Sequence, residues 1–286
     1  MVKIGFTDFW GYNENPIDWF EMDYFFLKAF RDFGVEYKLV DPSTEEADIL
    51  FKSVFPSNKN IKGRPVVIGF TGEPVFNSQD VDYSLTFEDD SDTNLYYPLW
   101  QLNYDRYANN FKPQDASKKD LFCSFIQRAN VEKRTNIYLY ISTYYKPIIS
   151  CGTLFNTSGF SIKDFKKDYS FLQELHKRVK FNLCFENSFS SGHTSYISEK
   201  IINSYAYGTV PIYWGAENIT RWFNPDSFIN CNGLSDEEIL GKIIEVDNNN
   251  ELYKSMLYAK PFREDINWKE YSYERLINFL KNKNVI

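Results

Sequence analysis

The chain has 286 residues, 43% of them apolar and 19% aromatic, a composition that buries a sizeable core and excludes a disordered polypeptide. Its net charge of −7 and pI near 5.1 exclude a general nucleic-acid-binding surface, which needs clustered Lys and Arg, so any phosphate site must be local. Cys123, Cys151, Cys184 and Cys231 are widely spaced beside only two histidines, which argues against a zinc site or a disulfide scaffold and suits a reducing compartment.

Read in chain order, the amino-terminal third alternates strands and helices. VKIGFTDF is a predicted strand, and Ile17 to Phe33 a predicted helix on the spacing of Trp19, Phe20, Tyr24, Leu27 and Phe30, stopped by Gly34. The opening residues lack the character of a secretory leader, and no run reaches the ~18–20 apolar residues of a membrane span. The cytoplasm is therefore the expected address, with weak peripheral attachment at the inner membrane left open. VEYKLV, ADILFKSVF, RPVVIGF and DYSLTF are expected to be further short strands of a parallel βαβ sheet.

The polar stretch FKPQDASKK marks the expected boundary. A second α/β unit follows, with strands LFCSFI, KFNLCF, TVPIYW and SFIN, a helix near Arg134 to Ser142, another after Ser198, and SDEEILGKIIEV opening with a capping box, Ser235 and Glu238. The last expected helix covers Glu270 to Lys283. Three segments result: 1–115, 116–262, and a helical tail, 263–286, with the option of packing back on the first. The expected architecture is two similar α/β halves with a cleft between them.

Ser198 is the expected N-cap of a helix carrying Ile201, Ile202, Tyr205 and Ala206 on one face and ending at Gly208. Its start leaves the loop after KFNLCF, at the carboxyl end of a sheet, where ligands bind and free backbone N–H groups favour anions. Lys200 stands in the first turn, where the macrodipole disfavours a cation and a bound phosphate would offset that cost. The plainer alternative makes Glu199 and Lys200 solvated first-turn residues.

Glu73, in VVIGFTGEPVF, follows a strand on a tight turn. A carboxylate there can serve as a general base if partial burial tunes its pKa, or can be an ordinary turn residue. Arg134 and Arg128, after the strand LFCSFI, can each grip a diphosphate bidentately or be surface charges. Asp90 and Asp92, in FEDDSD, have the spacing with which many metal-dependent sugar transferases hold a divalent cation, or form a solvated acidic turn.

These segments resemble glycosyltransferase family 10, the bacterial α-1,3-fucosyltransferases. KFNLCFENS…YISEKIINSYAYGTVPIYWG is similar to the family series K-F-x-x-x-F-E-N-S, Y-[VI]-T-E-K and A-x-x-x-G-[ST]-[VI]-P-[VI]-[YVW]-W-G. TGEPVFNSQDVDYSLTFED, FCSFIQRANVEKR and FNPDSFIN resemble further family segments, so the likeness covers nearly the whole chain. The chain departs from the pattern in a longer loop before Tyr196, in Ser198 for threonine, in QRAN for Ser-Asn, and in Pro74 after Glu73.

The resemblance implies a GT-B fold of two Rossmann-like domains, the first binding the acceptor and the second GDP-fucose. It further implies metal-independent, inverting transfer of fucose to a hydroxyl of a lactosamine-type glycan, in a lipopolysaccharide O-antigen or a Lewis-type oligosaccharide, with O3 of N-acetylglucosamine the usual target. Carried over by motif, Glu73 is the catalytic base, Arg134 and Lys200 face the diphosphate, and Asn187, Tyr196 and Glu199 contact the nucleotide or fucose. Arg128 and Ser198 are further donor-side candidates, and Trp10 and Tyr12 candidates for stacking on acceptor sugars. The competing readings are a metal-dependent glycosyltransferase using Asp90 and Asp92, and a glycoside hydrolase using two of Glu73, Glu186 and Glu199.

Overall fold

The computed structural model describes residues 1–9, 26–56, 60–75, 80–101, 115–127, 130–159, 165–187, 195–266 and 273–286, with the side chains of 165–170 outside the description. Two compact units divide the chain: Met1–Leu102 with Asn267–Ile286, and Asn103–Ile266. The division falls before the stretch expected to mark it because that stretch is tied to the second unit. The Asp115 carboxylate caps the 3₁₀ turn Ala116–Lys118, and Lys119 Nζ donates to the carbonyls of His176 and Gly208 at 2.8 and 2.6 Å.

The first unit holds strands β1 (Val2–Thr7), β2 (Tyr37–Leu39), β3 (Ile49–Lys52), β4 (Val66–Phe70), β5 (Tyr83–Thr86) and β6 (Asn94–Tyr96). They form one sheet in the order β2-β1-β3-β4-β5-β6, with every pair parallel. Strand β6 lacks a sequence signal: it is three residues long and opens with Asn94, whose Oδ1 accepts the hydroxyls of Ser84 and Thr86. Of the helix expected over 17–33, the described portion is α1 (Lys28–Asp32), ending before Gly34.

Aromatic packing builds this core. Phe26 lies 4.3 Å from Phe51 between ring centroids, 5.3 Å from Phe70 and 5.9 Å from Phe6, all four rings being buried. The final helix, which will be α7 in chain order (Glu274–Asn282), sinks Leu276, Ile277 and Leu280 into the same core. Arg275 on that helix donates to the Tyr96 carbonyl at 3.0 Å and pairs with Asp90.

The second unit holds β7 (Leu121–Phe125), β8 (Ile148–Ser150), β9 (Val179–Phe185), β10 (Val210–Trp214) and β11 (Ile229–Asn230), parallel throughout in the order β11-β10-β9-β7-β8. Its helices are α2 (Glu132–Tyr144), α3 (Phe165–Arg178), α4 (Lys200–Ala206), α5 (Asp236–Asn248) and α6 (Asn250–Tyr258). Helix α5 carries the expected capping box, Ser235 accepting from Glu238 N and Glu238 from Ser235 N. Helix α3 and the three-residue strand β8 are additions to the sequence-based expectation.

Both sheets thus share one winding: the first strand of each unit sits between the second and third. Crossovers leave such a switch point toward opposite faces, so a crevice opens beyond the carboxyl ends of the two strands that flank it. In the second unit that point lies between β7 and β9, in the first between β1 and β3.

Candidate active site

Gln127 follows the carboxyl end of β7, and Glu186 and Asn187 follow that of β9, its neighbour in the sheet. Over them stand the first turn of α2, with Arg134, and the start of α4, with Lys200. Arg134 is 5% exposed; its Nη1 donates to Asn187 Oδ1 at 2.8 Å, and its guanidinium stands 5.9 Å from the Phe125 ring centroid. Among the described residues its Nε is buried with no hydrogen-bond partner, so the group holds a donor that they do not satisfy. Burial lowers the guanidinium pKa, and the fields of Glu186, Glu199 and Tyr196 oppose that fall.

Lys200 makes its contacts backward, to the strand end. Its Nζ lies 3.3 Å from Glu186 Oε2 and 3.0 Å from Ser198 Oγ. The carboxylate also accepts Ser198 N–H at 2.8 Å and the Ser198 hydroxyl at 2.6 Å. Burial pushes the Glu186 carboxyl up, against the pull of Lys200 and Ser198. Burial likewise pulls the Lys200 ammonium down, but Glu186 and Glu199 outweigh it, and its pKa is raised.

The helix start departs from expectation. The capping position is Glu199, in helical conformation and without a side-chain cap, because the Ser198 hydroxyl is given to Glu186; Ser198 Oγ accepts Lys200 N–H only at 3.4 Å. A helix of seven residues also carries little macrodipole, so side-chain cations supply the positive charge here. Gly208 ends the helix at φ +69°, as its position in the sequence requires.

Arg134, Asn187, Tyr196, Ser198, Glu199 and Lys200 all belong to this unit. Tyr196 is 4% and Ser198 1% exposed, which puts the serine behind Lys200. Arg128 lies outside the described residues, as do Trp10 and Tyr12. Sequence reasoning missed the partnership of Glu186 with Lys200; its signal was a carboxylate immediately after a buried strand, where a charge needs a counter-charge.

Glu73 sits in the other unit, after β4, half-buried. The Thr71 hydroxyl fixes its turn, lying 2.8 and 2.7 Å from the carbonyls of Glu73 and Val75 and accepting Glu73 N–H at 3.1 Å. At that unit's switch point stand Thr7 and Asp8, both buried, with Asp8 at φ +63°. Asp90 is committed elsewhere: Oδ1 accepts Tyr96 N–H at 2.7 Å and Oδ2 faces Arg275. Among the described residues no three His, Cys, Asp or Glu side chains converge on a metal position.

Comparison with known proteins bears on this arrangement. The profile described as glycosyltransferase family 10 (fucosyltransferase), C-terminal part, matches residues 115–284, more than half of the chain. An α-(1,3)-fucosyltransferase of Helicobacter pylori is 32% identical over 157 residues, 54% of this chain and 30% of its own length. The human 4-galactosyl-N-acetylglucosaminide 3-α-L-fucosyltransferase 9 is 30% identical over 175 residues, 60% of this chain and 45% of its own. The chain therefore spans less than half the length of either. A solved α1,3-fucosyltransferase with GDP-fucose shares the fold, with a TM-score of 0.73 at 23% identity over 98% of this chain and 89% of that one. With the matched profile enclosing β7, β9, Arg134, Asn187 and Lys200, the chain belongs to glycosyltransferase family 10, the fucosyltransferases.

Proposed function

We propose that this chain is an inverting α-1,3-fucosyltransferase that moves L-fucose from GDP-fucose to O3 of N-acetylglucosamine in a lactosamine-type glycan, such as an O-antigen or Lewis-type oligosaccharide. The observation that carries the reading is the pair of enclosed cations, Arg134 and Lys200, at the carboxyl ends of β7 and β9, joined to Asn187 and Glu186. Two fixed cations in a site with little water suit a diphosphate leaving group, whose charge grows as the sugar–phosphate bond breaks. Support for donor and acceptor comes from the relatives: one solved structure carries GDP-fucose, and the human relative is named for a galactosylated N-acetylglucosaminide.

In the proposed reaction Glu73 removes the proton of the acceptor hydroxyl while that oxygen attacks C1 of fucose. GDP departs from the opposite face with its charge met by Arg134 and Lys200, and Tyr196 and Glu199 orient the nucleotide and sugar. The reaction needs no metal on this reading, because side-chain cations serve the diphosphate and Asp90 is held by Arg275 and Tyr96. The four free, buried thiols fit a reducing compartment such as the cytoplasm. Among the described residues no helix is long and apolar enough to cross a membrane.

The test is incubation with GDP-fucose and a panel of lactosamine isomers, with the linkage of the product read by NMR, in the presence and absence of EDTA. An α-1,3 product in both arms is expected. Absence of transfer across the panel would refute the activity, and loss of transfer with EDTA would refute metal independence.

A further inference from the structure

Glu186 has no exposed side-chain surface, yet three donors converge on it: Ser198 N at 2.8 Å, the Ser198 hydroxyl at 2.6 Å and Lys200 Nζ at 3.3 Å. Two oxygens accepting three donors are the coordination of an ionised carboxylate. The charged and titratable groups around it come from four elements. Lys200 and its capping neighbour Glu199 face it from the start of α4, Arg134 from α2, and Cys184 from β9, the strand that leads into it. From β10 comes the Tyr213 hydroxyl: a Cβ at Gly215 would lie 2.4 Å from Glu186 Cγ and 2.7 Å from Tyr213 Oη.

The ammonium proposed to meet the diphosphate is thus already neutralised from behind. A donor arriving at Lys200 competes with Glu186 for it, and a carboxylate enclosed without its cation is strongly disfavoured. We propose that Glu186 is a positioning residue that holds Lys200 for the donor and then releases it, taking up one proton from solvent as the ammonium turns to the diphosphate. One O–H bond forms at Glu186, the buffer acid's bond to that proton breaks, and no other covalent bond changes. The Cys184 thiol, pushed up to about 12, stays protonated throughout. Glu199 is partly exposed, which leaves Glu186 as the carboxylate whose charge the enclosure makes costly. The inference rests on the reading that Lys200 meets the diphosphate.

Calorimetric titration of GDP-fucose into the full chain, without acceptor, tests it. GDP-fucose is the suitable probe because its diphosphate is esterified at both ends and does not itself titrate near neutral pH. Repeating the titration near pH 8 in two buffers of different ionisation enthalpy counts the protons exchanged. Wild type should take up close to one proton, and its affinity should fall up to about tenfold per pH unit above neutrality. Glu186→Gln should take up none and bind with a flat pH profile. A Glu186 that merely supports the fold would instead weaken binding equally at every pH when replaced.

Buffer-independent heat in wild type, or the same uptake in Glu186→Gln, overturns the proposal. If the variant does not fold, the wild-type slope of affinity against pH decides alone, a flat line being the contrary result. Binding without proton uptake sinks this inference and leaves the donor reading standing, whereas absence of GDP-fucose binding at any pH sinks both.

Discussion

Arg134 Nη1 donates to the Asn187 side-chain carbonyl at 2.8 Å, joining residues 53 positions apart, one in the first turn of α2 and one just past the carboxyl end of β9. Among the described residues the guanidinium Nε has no partner beside that bond. Arg134→Lys keeps the charge but loses the fork, and should weaken GDP-fucose binding by about 1.5–3 kcal/mol, the scale of a hydrogen bond to a charged group. Titration of GDP-fucose measures it; affinity equal to wild type would remove Arg134 from the donor site.

Glu73→Gln separates chemistry from binding, because Glu73 and the cations proposed to hold the donor, Arg134 and Lys200, belong to different units. Turnover should fall by about 10²–10⁴, the usual contribution of a general base, while donor affinity is retained. Steady-state kcat and an independent binding titration check the two halves of that statement.

The same substitution at two glycines should have opposite signs. Gly215→Ala drives a methyl into Glu186 Cγ and the Tyr213 hydroxyl and should destabilise by about 1–3 kcal/mol, with loss of donor affinity. Gly241→Ala, in the interior of α5 with nothing within 4 Å of the new methyl, should stabilise by about 0.5–1 kcal/mol and leave binding unchanged. Thermal unfolding and GDP titration of both variants make the comparison.

Acid should loosen the second unit through His176. The ring is fully buried and stacked on Tyr207 at 4.4 Å, with Nδ1 2.6 Å from the Leu172 carbonyl and Nε2 2.9 Å from the Ser124 hydroxyl. A carbonyl only accepts, so Nδ1 carries the proton and Nε2 accepts from Ser124. Burial pushes the imidazole from 6.5 down to about 4, with Lys119 acting in the same direction and the Leu172 carbonyl against it. The folded value lies below the unfolded one, so the unfolded chain binds more protons between them; stability is full above 6.5 and is lost as pH falls toward 4. Roughly 3 kcal/mol is at stake across that window. Calorimetric scans from neutral to acid pH should show the fall, and His176→Gln should flatten it.

The strands with four or more described residues were all legible, because parallel strands covered on both faces read as near-continuous apolar runs. Strand β6 was not: Asn94 opens it, and its place comes from accepting two hydroxyls of β5. Asp90 in FEDDSD shows the same limit from the other side. Its spacing suggested a metal, whereas Arg275, 185 positions away, and the Tyr96 amide hold its carboxylate.

Local signals in the chain were enough for the alternation of strands and helices, the capping box at Ser235, the stop at Gly208 and the motif that marks the family, since propensity, capping and motif order act over short spans of chain. Only the tertiary structure decided which charge meets which. Lys200 was expected in the first turn of a helix capped by Ser198, facing solvent or phosphate. In the folded unit the serine hydroxyl and the ammonium both turn to Glu186, because a carboxylate buried at the end of β9 must be satisfied by whichever donors the fold brings to it.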